Sequence, residues 1–273
     1  MSGGSITAGE WNDLEHWEFW QDLMQNQDQN ENSYQNMVKK WGFQDPTKLN
    51  LTCQMEDVCR FYTDKNQLDL TFMVDTTGSM GDELDYLKSE LKNVVQRVSA
   101  NNSNLSIKIA TVFYRDHSDE YTVRKFDFND DVDQIISQIK DQAASGGGDF
   151  PEAADEALQI SIEKLSWREN SRKLLFWVAD APIHNNSKNI ELFQSEVAQA
   201  RFAKNISIIP IASSGIDKAT EMLMRATAIY TNGTYVFLTD DSGIGNSHLK
   251  PTIGSFQVEN LNDLLVRIIN ERI

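Results

Sequence analysis

Cysteine is scarce in this sequence: Cys53 and Cys59 are the only two in 273 residues, with no histidine or third cysteine close to them. The pair lacks the further ligands that a zinc site would need. It reads equally as a short-loop disulfide, which would imply an oxidising compartment, or as two free thiols. Long apolar runs are missing too. None reaches the ~18 residues of a membrane-spanning helix, and Met1-Ser2-Gly3-Gly4 carries no charged-then-apolar export signal. That start has the look of a trimmed end, so the expectation is an exported protein, periplasmic or at the cell surface, with its signal removed; a cytoplasmic home is the alternative. Positive charge is in deficit, with 25 Lys and Arg against 41 Asp and Glu and a net charge of −16. Such a surface repels phosphate backbones and anionic lipids, which disfavours nucleic-acid and membrane-surface binding and leaves metal ions and cationic partners open. There is no Gly-x-Ser-x-Gly nucleophile elbow and no Gly-rich phosphate loop with its lysine.

An apolar fraction of 40% is ordinary for a chain with a real core. Three regions follow from patterning. Residues 1–45 form an aromatic-rich leader, in which Thr7 and Glu10 fit a capping box and Leu14, Trp17, Leu23 and Met24, with Phe19 or Trp20, approximate a helical stripe. The stripe predicts a helix from about residue 9 to residue 24, and Tyr34, Met37, Val38 and Trp41 suggest a second after the polar break at 25–32. The tryptophans of this leader either pack on the main domain or present a surface to a partner. Residues 46–67 read as a linker and lead-in.

From residue 68 to 273, strand and helix patterns alternate. Strands are predicted over 68–74, 105–113, 121–126, 174–178, 206–211 and 234–237, and helices over 82–98, 132–142, 152–165, 190–203, 217–228 and 261–269. Only a short loop separates the second and third strands, so that pair is predicted antiparallel. The remainder implies an α/β fold with a doubly wound, mainly parallel sheet, one antiparallel edge strand and helices on both faces. Sites in such sheets lie at the carboxyl ends of strands near the switch in strand order.

Asp75-Thr76-Thr77-Gly78-Ser79-Met80 sits at such an end. A carboxylate and two hydroxyls at alternate positions, on a turn loosened by Gly78, can point at one centre. Oxygen-only ligands suit a hard divalent ion, Mg²⁺ or Ca²⁺ and also Mn²⁺. The competing reading is that Asp75, Thr77 and Ser79 cap the next helix. A second acidic residue, Asp180, ends the buried strand in Phe176-Trp177-Val178-Ala179-Asp180-Ala181-Pro182.

These residues resemble a von Willebrand factor type A domain with a metal-ion-dependent adhesion site. That family's first motif is Asp-x-Ser-x-Ser, which Asp75, Thr77 and Ser79 match with a threonine in one hydroxyl position, and Asp180 matches the later acidic ligand. The middle motif departs: Gly146-Gly147-Gly148-Asp149 places Gly148 where many members carry a threonine hydroxyl. Either Asp149 or water would fill that gap. Tyr114-Arg115-Asp116-His117, residues 146–152 and Ala179-Asp180-Ala181-Pro182-Ile183-His184 are similar to the subgroup found beside alpha-kinases and in many microbial proteins, a likeness that implies no kinase here. The resemblance implies a non-enzymatic module that holds its ion at Asp75, Thr77, Ser79 and Asp180, assisted by Asp149. A protein partner would then supply a carboxylate to the metal. Asp116, His117 and Gly148 are candidate contacts near that site. Two rival readings stand beside it: a metal-dependent hydrolase with His117 or His184 as acid or base, and a metal-free scaffold whose leader carries the interaction.

Overall fold

The computed structural model of the protein describes residues 7–11, 64–239 and 258–273. The strands are β1 (Thr7–Trp11), β2 (Gln67–Asp75), β3 (Ser106–Tyr114), β4 (Val123–Asn129), β5 (Arg172–Ala179), β6 (Ile206–Ala212), β7 (Tyr235–Leu238) and β8 (Glu259–Asn260). The helices are α1 (Gly81–Asn101), α2 (Val132–Lys140), α3 (Ala154–Glu163), α4 (Ser187–Ala198), α5 (Lys218–Tyr230) and α6 (Leu261–Glu271).

The strands form one sheet in the order β4-β3-β2-β5-β6-β7-β1-β8. From β2 the chain winds outward through β3 to β4, then returns to the other side of β2 and winds through β5, β6 and β7. The order therefore switches beside β2. The β2–β3, β2–β5, β5–β6 and β6–β7 pairs are parallel, and β3–β4 is antiparallel, as the short connection requires.

Alternation along β2 sorts side chains onto two cores. Leu68, Leu70, Phe72 and Val74 pack with the apolar stripes of α1, α2 and α6, where Phe72 and Phe176 stack with ring centroids 5.2 Å apart. Met73, with Trp177 of β5, faces α3, α4 and α5 on the other side. At the amino end of β2, buried Asp69 is matched with cationic Arg168: Oδ1 accepts from Arg168 Nε at 2.7 Å, and Oδ2 from the Arg168 amide at 2.8 Å and the Ser171 hydroxyl at 2.6 Å. No helix among the described residues is long and apolar enough to cross a membrane.

Several element boundaries shift by two or three residues, β4 running from Val123 to Asn129 and α4 starting at Ser187 among them, and two departures bear on the sheet edge and the site. Residues 9–11, expected to begin a helix, belong to strand β1, which pairs antiparallel with β7 and β8. The sheet thus has a second antiparallel margin opposite β4. The edge of β7 offers unpaired backbone groups, and satisfying them outweighs a weak helical preference in a segment interrupted by Gly9. The rest of the predicted leader helices and residues 46–63 of the linker lie outside the described residues, as do Cys53 and Cys59, and the linker's last residue, Gln67, opens β2. Secondly, α3 begins at Ala154 rather than at 152. Glu152 forms an isolated parallel bridge with Ile183, and its amide donates to Pro182 O at 2.9 Å. That bond holds residue 152 extended and turns its side chain into the site.

Candidate metal centre

Three loops converge at the carboxyl end of the sheet beside the switch in strand order: one after β2, one between α2 and α3, and one after β5. Asp75 ends β2 with its side chain fully buried. Its Oδ1 accepts the Thr77 amide at 2.8 Å and the Thr77 hydroxyl at 2.7 Å, a local turn of the kind that Asp favours. Thr77 Oγ1 stands 3.5 Å from Ser79 Oγ, and the Ser79 side chain hydrogen-bonds Asp180 at the end of β5. Neither the 3₁₀ turn Gly78–Met80 nor α1 has a side-chain cap, so these hydroxyls do not serve as helix caps. Asp75, Thr77, Ser79 and Asp180, distant in sequence, are brought together.

The glycine loop closes the second side. Gly146 O accepts the Gly78 amide at 3.1 Å, and the Ser145 amide donates to Thr76 O at 3.0 Å, so this loop and the first motif hold each other. Gly146 and Gly147 have φ of +82° and +81°, a region that glycine enters without a Cβ penalty. A Cβ on Gly146 would also lie 2.2 Å from Asp119 Oδ1. Gly148 is exposed with open space around it, and Asp149 is exposed at the cleft rim. The carboxylate that reaches inward from this loop is that of Glu152, which is buried. The sequence reading missed it because Pro151-Glu152 looks like a first helical turn. The available signal was an acidic residue following proline, just after the glycine run.

The cleft measures about 300 Å³, and among the described residues its lining includes Thr77, Ser79, Asp149, Glu152 and Asp180 but no Lys or Arg. Asp75 Oδ2 and Glu152 Oε2 are buried with no hydrogen-bond partner. Burial, then the charge of Asp180, pushes the Asp75 carboxyl up to about 7 against the pull of the Thr77 hydrogen bonds. Burial and the charge of Asp75 push Glu152 up to about 9. Asp180 is raised as well, by burial first and also by the charge of Glu83, while its bond from Ser79 lowers it. Carboxylates this hard to ionise alone are stabilised by a cation, and every donor facing the cleft is oxygen, which fits a hard divalent ion.

Among the described residues, only Asp116, His117 and His184 bring three acidic or imidazole ligand atoms within 4.8 Å of one another. The carboxylates of Asp75, Glu152 and Asp180 are therefore spaced more widely. Asp116, at the end of β3, pairs with His184 at 2.7 Å rather than with Arg115, whose guanidinium donates to Ala143 O at 2.7 Å. His117 is stacked on His184 with ring centroids 5.3 Å apart. Neither histidine lines the cleft.

Comparison with known proteins places the fold in a family. A segment of an ariadne-like RING finger protein, as it is named, from Acanthamoeba polyphaga mimivirus is 33% identical over 130 residues, 48% of this chain and 12% of that protein. An alpha-protein kinase of Dictyostelium discoideum is 29% identical over 118 residues, 43% of this chain and 19% of the kinase. The chain thus matches less than a fifth of the length of either curated relative. Among solved structures, the conserved hypothetical protein BatB from Bacteroides thetaiotaomicron shares the fold at a TM-score of 0.51 and 12% identity, covering 75% of this chain and 98% of BatB. The family pattern of the von Willebrand factor A domain matches residues 69–245, from the third residue of β2 to beyond β7. With the switch-point cleft, the matched motifs and this match in hand, the chain belongs to the von Willebrand factor A domain family.

Proposed function

We propose that the protein is a divalent-metal-dependent interaction module that captures a protein partner through an acidic group of that partner. Domains of this family commonly act as non-catalytic interaction modules, and the finer reading rests on the cleft. Asp75, Thr77, Ser79 and Asp180 would hold Mg²⁺ or Ca²⁺, with Glu152 as the third acidic group and Asp149 at the rim facing what enters. When bound, the ion supplies the positive charge that lets a carboxylate approach a surface of net charge −16. Thr77 and Ser79 contribute neutral oxygens, which leaves the ion with residual charge and room for an outside ligand.

The observation that carries this reading is the pair of buried carboxylate oxygens, Glu152 Oε2 in the cleft wall and Asp75 Oδ2 behind Thr77, left without hydrogen-bond partners among the described residues, where the cleft's described lining holds no Lys or Arg. An uncompensated buried acid is costly, and a cation removes the cost. Calorimetric titration of the metal-stripped protein with Mg²⁺, Ca²⁺ and Mn²⁺ tests it. Saturable one-to-one uptake that is lost in Asp75→Ala, together with ion-dependent retention of Asp-containing peptides, is the expected result. Uptake unchanged in Asp75→Ala, or peptide retention that persists in chelator, would refute it. The histidines of the hydrolase reading stand outside the cleft, so binding is preferred over turnover. Hydrolysis of a phosphoester panel that disappears in His184→Ala would reverse that preference.

A further inference from the structure

We propose that Asp116, His117 and His184 form a second metal site, separate from the oxygen-lined cleft, that takes a borderline divalent ion of the zinc class. Their ligand atoms all lie within 4.8 Å of one another. Two imidazole nitrogens and one carboxylate form a donor set that suits zinc and its neighbours in the transition series far better than magnesium or calcium. The two clusters at this end of the sheet would therefore differ in the ion they select.

The site is built by the fold. Asp116 and His117 follow β3, and His184 follows β5, so these residues come from strands on either side of β2. The Asp116 amide donates to Asp119 Oδ2 at 3.1 Å, and the same oxygen accepts the Gly147 amide at 3.0 Å, which pins the loop. Ile183, just before His184, is held by its bridge to Glu152. Asp116 is 5% exposed, whereas the side chains of His184 and His117 are 21% and 43% exposed. An ion would thus rest on a buried carboxylate with its open position toward solvent.

Two further features suit coordination. His184 Nε2 is 2.7 Å from Asp116 Oδ1; around a tetrahedral ion with bonds of ~2.1 Å that separation would open to about 3.4 Å, a shift of under 1 Å. His117 Nδ1 is 3.8 Å from Glu156 Oε1, beyond hydrogen-bond range in the metal-free chain but close enough that a small side-chain rotation would let this carboxylate accept its N–H and leave Nε2 as the ligand.

The test uses the full chain with Asp75→Ala to disable the first site and with Cys53 and Cys59 alkylated to remove their thiols. Co²⁺ is titrated and followed by its visible absorption, then competed with Zn²⁺. The expected result is one Co²⁺ per chain with the intense bands of low-symmetry coordination, displaced by Zn²⁺ and unaffected by excess Mg²⁺. It should vanish in His184→Ala, and Glu156→Gln should weaken it by about 10- to 100-fold while leaving the circular dichroism and melting of the apo chain unchanged. Absence of uptake in the parent, or uptake that survives His184→Ala and His117→Ala in chains that melt cooperatively, would overturn the proposal. Failure of ion binding at Asp75 leaves this test untouched, because Asp75 is already removed.

Discussion

Asp69 and Asp75 lie six residues apart on strand β2, and both side chains are fully buried, yet their surroundings are opposite in kind. At the amino end, both oxygens of Asp69 are occupied by Arg168 and Ser171, and Arg168 also donates to Leu68 O and Ser106 O, clamping β2 to β3. At the carboxyl end, one oxygen of Asp75 serves a local turn and the other has no partner, while Asp180 and Glu152 add like charge nearby. Burial alone does not distinguish a structural acid from a functional one. The distinction lies in whether the fold supplies the counter-charge itself, and among the described residues none stands beside Asp75.

The largest effect in that comparison should come from Asp69→Ala. It strands a mostly buried arginine and should cost about 3–5 kcal/mol in chemical denaturation, with or without divalent ions. The matching change at the other end, Asp75→Ala, should cost the metal-free protein little. It should abolish the ion-dependent gain, which is about 2.7 kcal/mol for an ion at 100 times its Kd and is read as a shift in Tm.

Acidity separates the two ends further. A carboxyl whose folded pKa is raised stabilises the fold fully below its unfolded value and loses that contribution as pH rises through the folded value. For Asp75 the window runs from 3.8 to about 7, and for Glu152 from 4.5 to about 9. Metal-free protein should therefore lose melting temperature between about pH 5 and pH 8, and Mg²⁺ should restore more of it at the upper end. Glu152→Gln should flatten the upper part of that loss and weaken Mg²⁺ uptake in the same titration. The smallest effect should be that of Asp149→Asn, with apo stability changed by less than about 0.5 kcal/mol because the side chain is exposed at the rim. Mg²⁺ affinity that falls as far as in Glu152→Gln would move Asp149 from the rim into the ion's shell.

Much of this was legible beforehand. The strands ending in Asp75 and Ala179 read directly from their apolar runs, and the long stripe of Leu84, Leu87, Leu91, Val94, Val95 and Val98 read as α1 because burial on one face leaves a 3.6-residue period. The motif at Asp75, Thr77 and Ser79 was visible because its geometry is local: the key hydrogen bonds span two residues. Glu152 was not visible, since its orientation is set by a backbone bond to Pro182 on another loop. The strand at Thr7–Trp11 was misread for the same reason, its partners being residues 235–238 and 259–260.

Local periodicity and turn chemistry thus fixed the order of elements, the mainly parallel sheet and the two ends of the candidate metal motif, because those depend on neighbours within a helical turn or a pleat. The tertiary structure decided which acid joins them, that Asp116 pairs with a histidine 68 residues away rather than with adjacent Arg115, and that the chain's early residues complete the sheet edge. Each of these turns on a partner contributed by a distant strand or loop. Such pairings depend on the charge and backbone groups that the fold leaves unsatisfied, and no run of consecutive residues encodes them.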